Sequence, residues 1–85
     1  MKVQYTINAG GLKQNRELSG MSQAELAEKT GISVRMIQNY EQGTNDINGA
    51  KLSTLLKICL ALGCELLGII TDPETRDLLE KYEEL

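Results

Sequence analysis

The 85 residues carry nine Lys and Arg against twelve Asp and Glu, no His, and a formal net charge of −3. That length fits one small domain and excludes a catalytic domain joined to a separate regulatory one. The 41% hydrophobic and 25% charged content is that of an ordinary soluble globular chain, with no window near the ~18 apolar residues of a membrane span and no apolar signal core at the start, so neither membrane insertion nor secretion is expected.

A single proline and the absence of Phe and Trp disfavour a sandwich or barrel, which draws on aromatic and β-branched strands. Val3, Tyr5 and Ile7 alternate, a short extended segment at most, and Tyr5 fits an N-terminal arm of unspecified role. Helical signals open near Gly11-Leu12 and close at Gly20. Gly10 and Gly11 would each cost ~1 kcal/mol inside a helix, so they mark its start. Ser22-Gln23-Ala24-Glu25 reads as a capping box for a helix over Gln23–Thr30 that stops at Gly31. Ser33 caps the next helix, with Met36, Ile37 and Tyr40 at helical spacing and Gly43 as its stop. Residues 44–50 are loop-like. From Lys51 to Leu62, Leu52, Leu55, Leu56, Cys59 and Leu62 form one apolar face, ended by Gly63. A short helix follows over Glu65–Ile70. Asp72-Pro73-Glu74 then supplies a cap, a first-turn proline and a first-turn acid for a last helix striped with Leu78, Leu79, Tyr82 and Leu85. The expected class is all-α.

The charge is uneven along this layout. Residues 1–63 hold seven Lys and Arg against five Asp and Glu, a balance of +2, whereas residues 64–85 hold two against seven, a balance of −5. Partners meet faces rather than averages, so the body can still face an anion although the tail cannot.

Two short capped helices joined by Thr30-Gly31-Ile32-Ser33 make a helix-turn-helix candidate. Ala27 is small where the helices approach, Gly31 turns the chain, and Leu26, Ile32, Ile37 and Tyr40 are placed to anchor the unit inward. The run from Gln23 to Gly43, QAELAEKTGISVRMIQNYEQG, resembles the Cro/lambda-repressor-like (Xre) helix-turn-helix family, and Leu55–Gly63 is similar to that family's fourth helix. The resemblance covers roughly residues 8–70. It implies a five-helix lambda-repressor-like DNA-binding domain over residues 1–70, with its helix-turn-helix at 22–42, and leaves an additional acidic C-terminal helix at 71–85.

Residue roles follow where the pattern matches. Gln23 corresponds to a phosphate-holding position, and a helix N-terminus offers free N–H donors and a favourable dipole to an anion. Ser33, Val34, Arg35 and Asn39 correspond to positions facing base edges. Arg35 suits a bidentate pair with guanine and Asn39 one with adenine, while Val34 can only pack on a thymine methyl. Gln38 reaches sugar or phosphate, and Thr44, Asn45, Asn48 and Lys51 fall where the family's loop and fourth helix meet the DNA backbone. Arg16 and Glu41 match an internal salt bridge. The chain departs from the family at Asn15, where an aliphatic residue is usual, and at Glu65, where a Ser or Thr cap is common.

The resemblance implies a sequence-specific transcriptional regulator that represses by occupying an operator, with the third helix in the major groove of double-stranded DNA. A homodimer would seat two such helices in successive grooves about 34 Å apart. The remaining residues leave no room for an effector domain. Two other readings stand beside it: an antitoxin-like protein that represses its own operon and holds a partner through residues 71–85, and a protein-interaction module without DNA. The tail stripe fits either a solvated cap helix or self-association, with self-association favoured because a lone apolar stripe needs a cover.

No enzyme is expected. Histidine is missing, no Ser or Cys has an activating partner, and Gly10-Gly11 is too little for a phosphate loop. Cys59 and Cys64 stand without a histidine, so they make no metal set and read as small core thiols in a reducing cytoplasmic setting. No cofactor is implied.

Overall fold

In the computed structural model, which describes residues 6–85, six α-helices and one 3-10 turn follow one another with no strand among those residues. Val3 and Tyr5 lie outside the described residues. The helices are α1 Gly11–Leu18, α2 Gln23–Thr30, α3 Val34–Gln42, α4 Leu52–Leu62, α5 Leu66–Ile69 and α6 Pro73–Glu83, with the turn at Ile47–Gly49 between α3 and α4.

Local chemistry sets most of these limits. Ser22 and Glu25 close the capping box reciprocally, Glu25 N donating to Ser22 Oγ and Ser22 N to Glu25 Oε1, both at 3.0 Å. Those two bonds satisfy donors that a helix start leaves open, and they hold the Glu25 carboxyl below the usual range. Ser33 caps α3 and Asp72 caps α6 with Pro73 in its first turn. Gly31 and Gly43 end α2 and α3 in the left-handed conformation, at φ 74 and 82, a region that a Cβ disfavours.

Packing runs α2 on α3 and α4, and α1 on α3 and α5, with α4 on α5. Leu12, Leu26, Ile37, Leu55, Ile58, Leu62, Ile69 and Ile70 fill the core. The thiols of Cys59 and Cys64 are free and buried within it. Its contact with Cys64, and then burial, push the Cys59 thiol up, which keeps it protonated and unreactive.

Two details differ from the sequence reading, the facing of α4 and the length of α5, and the stripe on the last helix stays largely uncovered. On α4 the inward face is Leu55, Ile58, Cys59 and Leu62, while Leu52 and Leu56 are exposed along with Leu60. Apolar residues surround most of this helix, so their spacing alone does not identify which arc meets the core. The fifth helix is shorter, Leu66–Ile69, and Glu65 gives it no side-chain cap; Glu65 N donates instead to Thr6 Oγ1 at 3.2 Å. On α6 only Leu79 of the apolar stripe is half-buried, with Leu78, Tyr82 and Leu85 exposed.

Asn15, on α1, is buried and saturated. Its Oδ1 accepts from Ile7 N at 2.8 Å, and its Nδ2 donates to the carbonyls of Ile7, Gly11 and Gly68 at 3.1, 2.9 and 3.0 Å. The side chain thus ties the segment before α1 to α5. Gly68 makes this possible: a Cβ there would lie 2.6 Å from Thr6 Cγ2.

Candidate nucleic-acid interface

α2 and α3 meet through a turn that satisfies its own polar groups. The hydroxyl of Thr30 donates to Leu26 O at 2.7 Å and accepts from Ile32 N at 3.2 Å, and Gly31 N donates to Ala27 O at 2.9 Å, so the buried end of α2 pairs these polar groups as the chain reverses. Thr30 adds to the turn a role that its sequence position does not signal, because a Thr at a helix end looks the same whether it faces water or core. Leu26 and Ile37, both fully buried, fix the two helices against the remainder.

A polar network then sets the register between α1, α2 and α3. Arg16 Nε donates to Glu41 Oε2 at 2.7 Å and Arg16 Nη2 to Glu41 Oε1 at 3.0 Å, a two-pronged pair with little exposure of either side chain. Arg16 Nη1 also donates to Met21 O at 2.8 Å. Gln23 Nε2 donates to Glu41 Oε1 at 3.0 Å, and Gln38 Nε2 donates to Gln23 Oε1 at 3.4 Å. Burial pushes the Glu41 carboxyl up, but the hydrogen bonds from Arg16 and Gln23, with the charge of Arg16, outweigh it and hold it below its ordinary value. The same bond to Glu41 raises the Arg16 guanidinium. The structural pair expected from the sequence is therefore present, and it extends to Gln23 and Gln38.

The positions expected to face DNA divide into three groups. Ser33, Val34 and Arg35 are exposed on the first turn of α3 and its cap. Ser33 Oγ accepts from Met36 N at 3.1 Å, which leaves its O–H free to donate outward. The Arg35 guanidinium makes no hydrogen bond among the described residues. Asn39, one turn on, is half-buried and shares the Arg35 face by its spacing of four.

Gln23 and Gln38 form the second group. One Gln23 Nε2 hydrogen is used on Glu41 and the other is left over, beside the unpaired backbone N–H groups at the start of α2. Asn45 joins α3 from the loop: its N donates to Asn39 O at 3.2 Å and its Nδ2 to Met36 Sδ at 3.1 Å. Thr44 and Lys51 are exposed on either side of the loop.

Asn48 stands apart. Its Oδ1 accepts from Thr71 N at 2.8 Å and Asp72 N at 3.0 Å, while its Nδ2 donates to Asp46 Oδ1 at 2.8 Å and Thr71 Oγ1 at 3.1 Å. All four hydrogen-bonding positions of the amide are occupied. The side chain expected to meet the DNA backbone is committed instead to holding the entry of α6 against the loop. Arg76 completes that attachment by donating to the carbonyls of Leu67 and Ile70 and to Asn8 Oδ1. The sequence reading missed Arg76 because its acceptors are mostly main-chain carbonyls.

No group of three or more metal-ligating side chains occurs among the described residues, and none of their helices is long and apolar enough to cross a membrane.

Comparison with known proteins agrees with this geometry. The family model described as helix-turn-helix matches residues 12–69. Two uncharacterized HTH-type transcriptional regulators, from Sinorhizobium medicae (strain WSM419) and Rhizobium meliloti (strain 1021), are each 38% identical over 47 residues, covering 55% of this chain and 34% of the relative. Another from Sinorhizobium fredii (strain NBRC 101917 / NGR234) is 35% identical over 46 residues, covering 54% of this chain and 32% of the relative. The matched region is thus about a third of the length of these relatives. No solved structure gives a significant match. With the family match running from α1 through α5, the chain belongs to the helix-turn-helix family of the Cro/lambda-repressor-like (Xre) type.

Proposed function

We propose that this chain is a non-enzymatic, sequence-specific DNA-binding transcriptional regulator that acts in the cytoplasm as a homodimer and represses by operator occupancy. The observation that carries this reading is the exposed Ser33–Val34–Arg35 turn of α3, mounted on a rigid corner by Ile37 and by the Arg16–Glu41–Gln23 network. A guanidinium that makes no hydrogen bond among the described residues, on a helix tied to α1 and α2 by the Arg16–Glu41–Gln23 network, suits bidentate recognition of guanine. Asn39 on the same face suits adenine, and Val34 a thymine methyl.

Backbone contacts in this proposal come from Gln23, Gln38, Thr44, Asn45 and Lys51. Most of these are uncharged donors, so they position the domain with little counterion release. The names of the relatives, transcriptional regulators all, point the same way.

The two kinds of contact separate in an affinity measurement across a panel of site variants. Arg35→Ala should weaken binding to the preferred site by ~1–3 kcal/mol and relax preference at one base position. Gln23→Ala should weaken all sequences alike. Unchanged preference in Arg35→Ala would refute the base-reading role, and a base-specific loss in Gln23→Ala would reverse the assignment of these residues.

A further inference from the structure

Two apolar stripes remain uncovered. On α4, Leu52, Leu56 and Leu60 are 62%, 43% and 66% exposed, spaced four residues apart. On α6 and just past its end, Leu78, Tyr82 and Leu85 are 58%, 70% and 100% exposed at spacings of four and three. The α4 stripe runs about 12 Å along its helix and Leu78–Tyr82 about 6 Å along α6, at 1.5 Å per residue, with Leu85 just past the helix end. Both stripes suit a helix laid along them, and six large exposed side chains are more than scattered surface residues need explain.

Their charged borders are opposite. Beside the α4 stripe, Lys57 and, across a shallow groove, Lys29 of α2 line one depression with Leu60 and Ala61, and Lys51 stands at its N-terminal end. Along α6 stand Glu74, Asp77, Glu80, Glu83 and Glu84, with Arg76 turned inward to main-chain carbonyls and Lys81 held by Asp77 at 3.0 Å. Within one chain Leu52, Leu56 and Leu60 of α4 and Leu78 and Tyr82 of α6 all stay exposed, so neither stripe covers the other. The entry of α6 is fixed to the loop by Asn48 and to α5 by Arg76, so the helix is held where its own stripe stays uncovered. The depression between Lys29 and Lys57 lies at the end of α2 opposite Gln23, while Lys51, at the other end of the α4 stripe, is the one residue shared with the proposed DNA contacts.

We infer that the occupant of each stripe is a second copy of the chain: α6 of one protomer lies on the α4 face of its partner, and the reciprocal contact closes the dimer. A two-fold axis makes the two contacts identical. The apolar stripes supply the attraction, and the acidic border of α6 against the lysines of the α4 groove sets its register. This exchange rests on the homodimer proposed above and specifies how that dimer is built.

Sedimentation equilibrium of the full chain tests it, with wild type, Leu60→Glu, Tyr82→Lys and an equimolar mixture of the two variants. Both sites are exposed, so thermal melting should show each variant folded; Lys57→Glu, which removes no core side chain, provides a second probe of the same groove. Wild type should dimerise, and each variant should lose at least about tenfold in self-association. The mixture should recover, because a heterodimer keeps one intact α6–α4 contact and opposes lysine to glutamate at the other. Loss in Leu60→Glu alone would mean α4 pairs with α4, loss in Tyr82→Lys alone would mean α6 pairs with α6, and loss in both without recovery would also refute the exchange. So would a wild type that stays monomeric at every concentration. Binding to a DNA half-site is read in parallel: a monomer that still binds it refutes only the exchange, whereas a dimer without DNA binding refutes the regulator reading alone.

Discussion

Glu41→Ala is expected to destabilise the domain by about 3–5 kcal/mol, because it strands the Arg16 guanidinium in a site with little access to water. For a chain of this size that is a fall in Tm of about 15 °C or more, measured by thermal melting at neutral pH. Removing both charges tells the origin of the loss. Arg16→Met with Glu41→Leu should recover most of it, since a buried pair replaced by apolar side chains is near neutral, whereas an unpaired charge is not. The gap between wild type and Glu41→Ala also depends on pH. The folded-state pKa of Glu41 lies below its unfolded value, so its stabilisation is complete above the ordinary carboxylate range and is lost as pH falls through the lower folded value. The two curves should therefore begin to converge as pH falls below the ordinary carboxylate range and meet only below the lower folded value. A gap that is unchanged there would show that the carboxylate's charge is not what holds α3 to α1. Because Glu41 also accepts from Gln23, the double variant should keep the fold while loosening the side chain proposed to hold phosphate.

Asn15→Leu is the second large effect, and its sign is the informative part. Leucine is the more ordinary choice on the inner face of α1, and it would add apolar burial. It would also leave Gly68 O, which is buried, and Ile7 N, which is half-buried, without their partners. An unsatisfied buried group costs ~1–3 kcal/mol, and the half-buried Ile7 N adds to the cost of Gly68 O, which together exceed what the larger side chain returns, so a net loss of roughly 1–3 kcal/mol is expected on denaturant unfolding. Amide exchange at Ile7 should accelerate in parallel. A variant as stable as wild type, with Ile7 still protected, would mean the segment before α1 is held by packing instead.

These two sites mark where the sequence speaks clearly and where it falls silent. The ends of α2, α3 and α6 were legible because capping and left-handed glycine stops act over three or four residues, as Ser22 with Glu25, Ser33 with Gly43, and Asp72 with Pro73 illustrate. The Arg16–Glu41 pair followed from the family pattern, and the position of α3 from the same resemblance. Asn15 was visible only as an odd residue on α1, since its partner Gly68 lies 53 positions away and contributes a main-chain carbonyl, which no side-chain pattern advertises. The internal bonds of Asn48 were hidden for a similar reason. A polar residue in a loop next to a DNA-facing helix looks free, and only the fold brings the Thr71 and Asp72 amides to it. The facing of α4 was lost to composition, because a helix with leucines on nearly every side has no single apolar arc to read.

The net charge of −3 belongs to the same lesson. It hides a weakly basic body and an acidic end, and the proposed DNA contacts include only two cations, Arg35 and Lys51. The domain should therefore depend on base recognition more than on general attraction to phosphate. The measurement that tests this most directly is a salt titration of binding to a selected site and to a scrambled duplex of the same length. The proposed role of α3 predicts salt-dependent binding with a shallow slope of log affinity against log salt, near −0.9 per phosphate neutralised, and a preference for the selected site of about a thousandfold or more. Equal affinity for the two duplexes, or no salt-dependent binding to either, would contradict it.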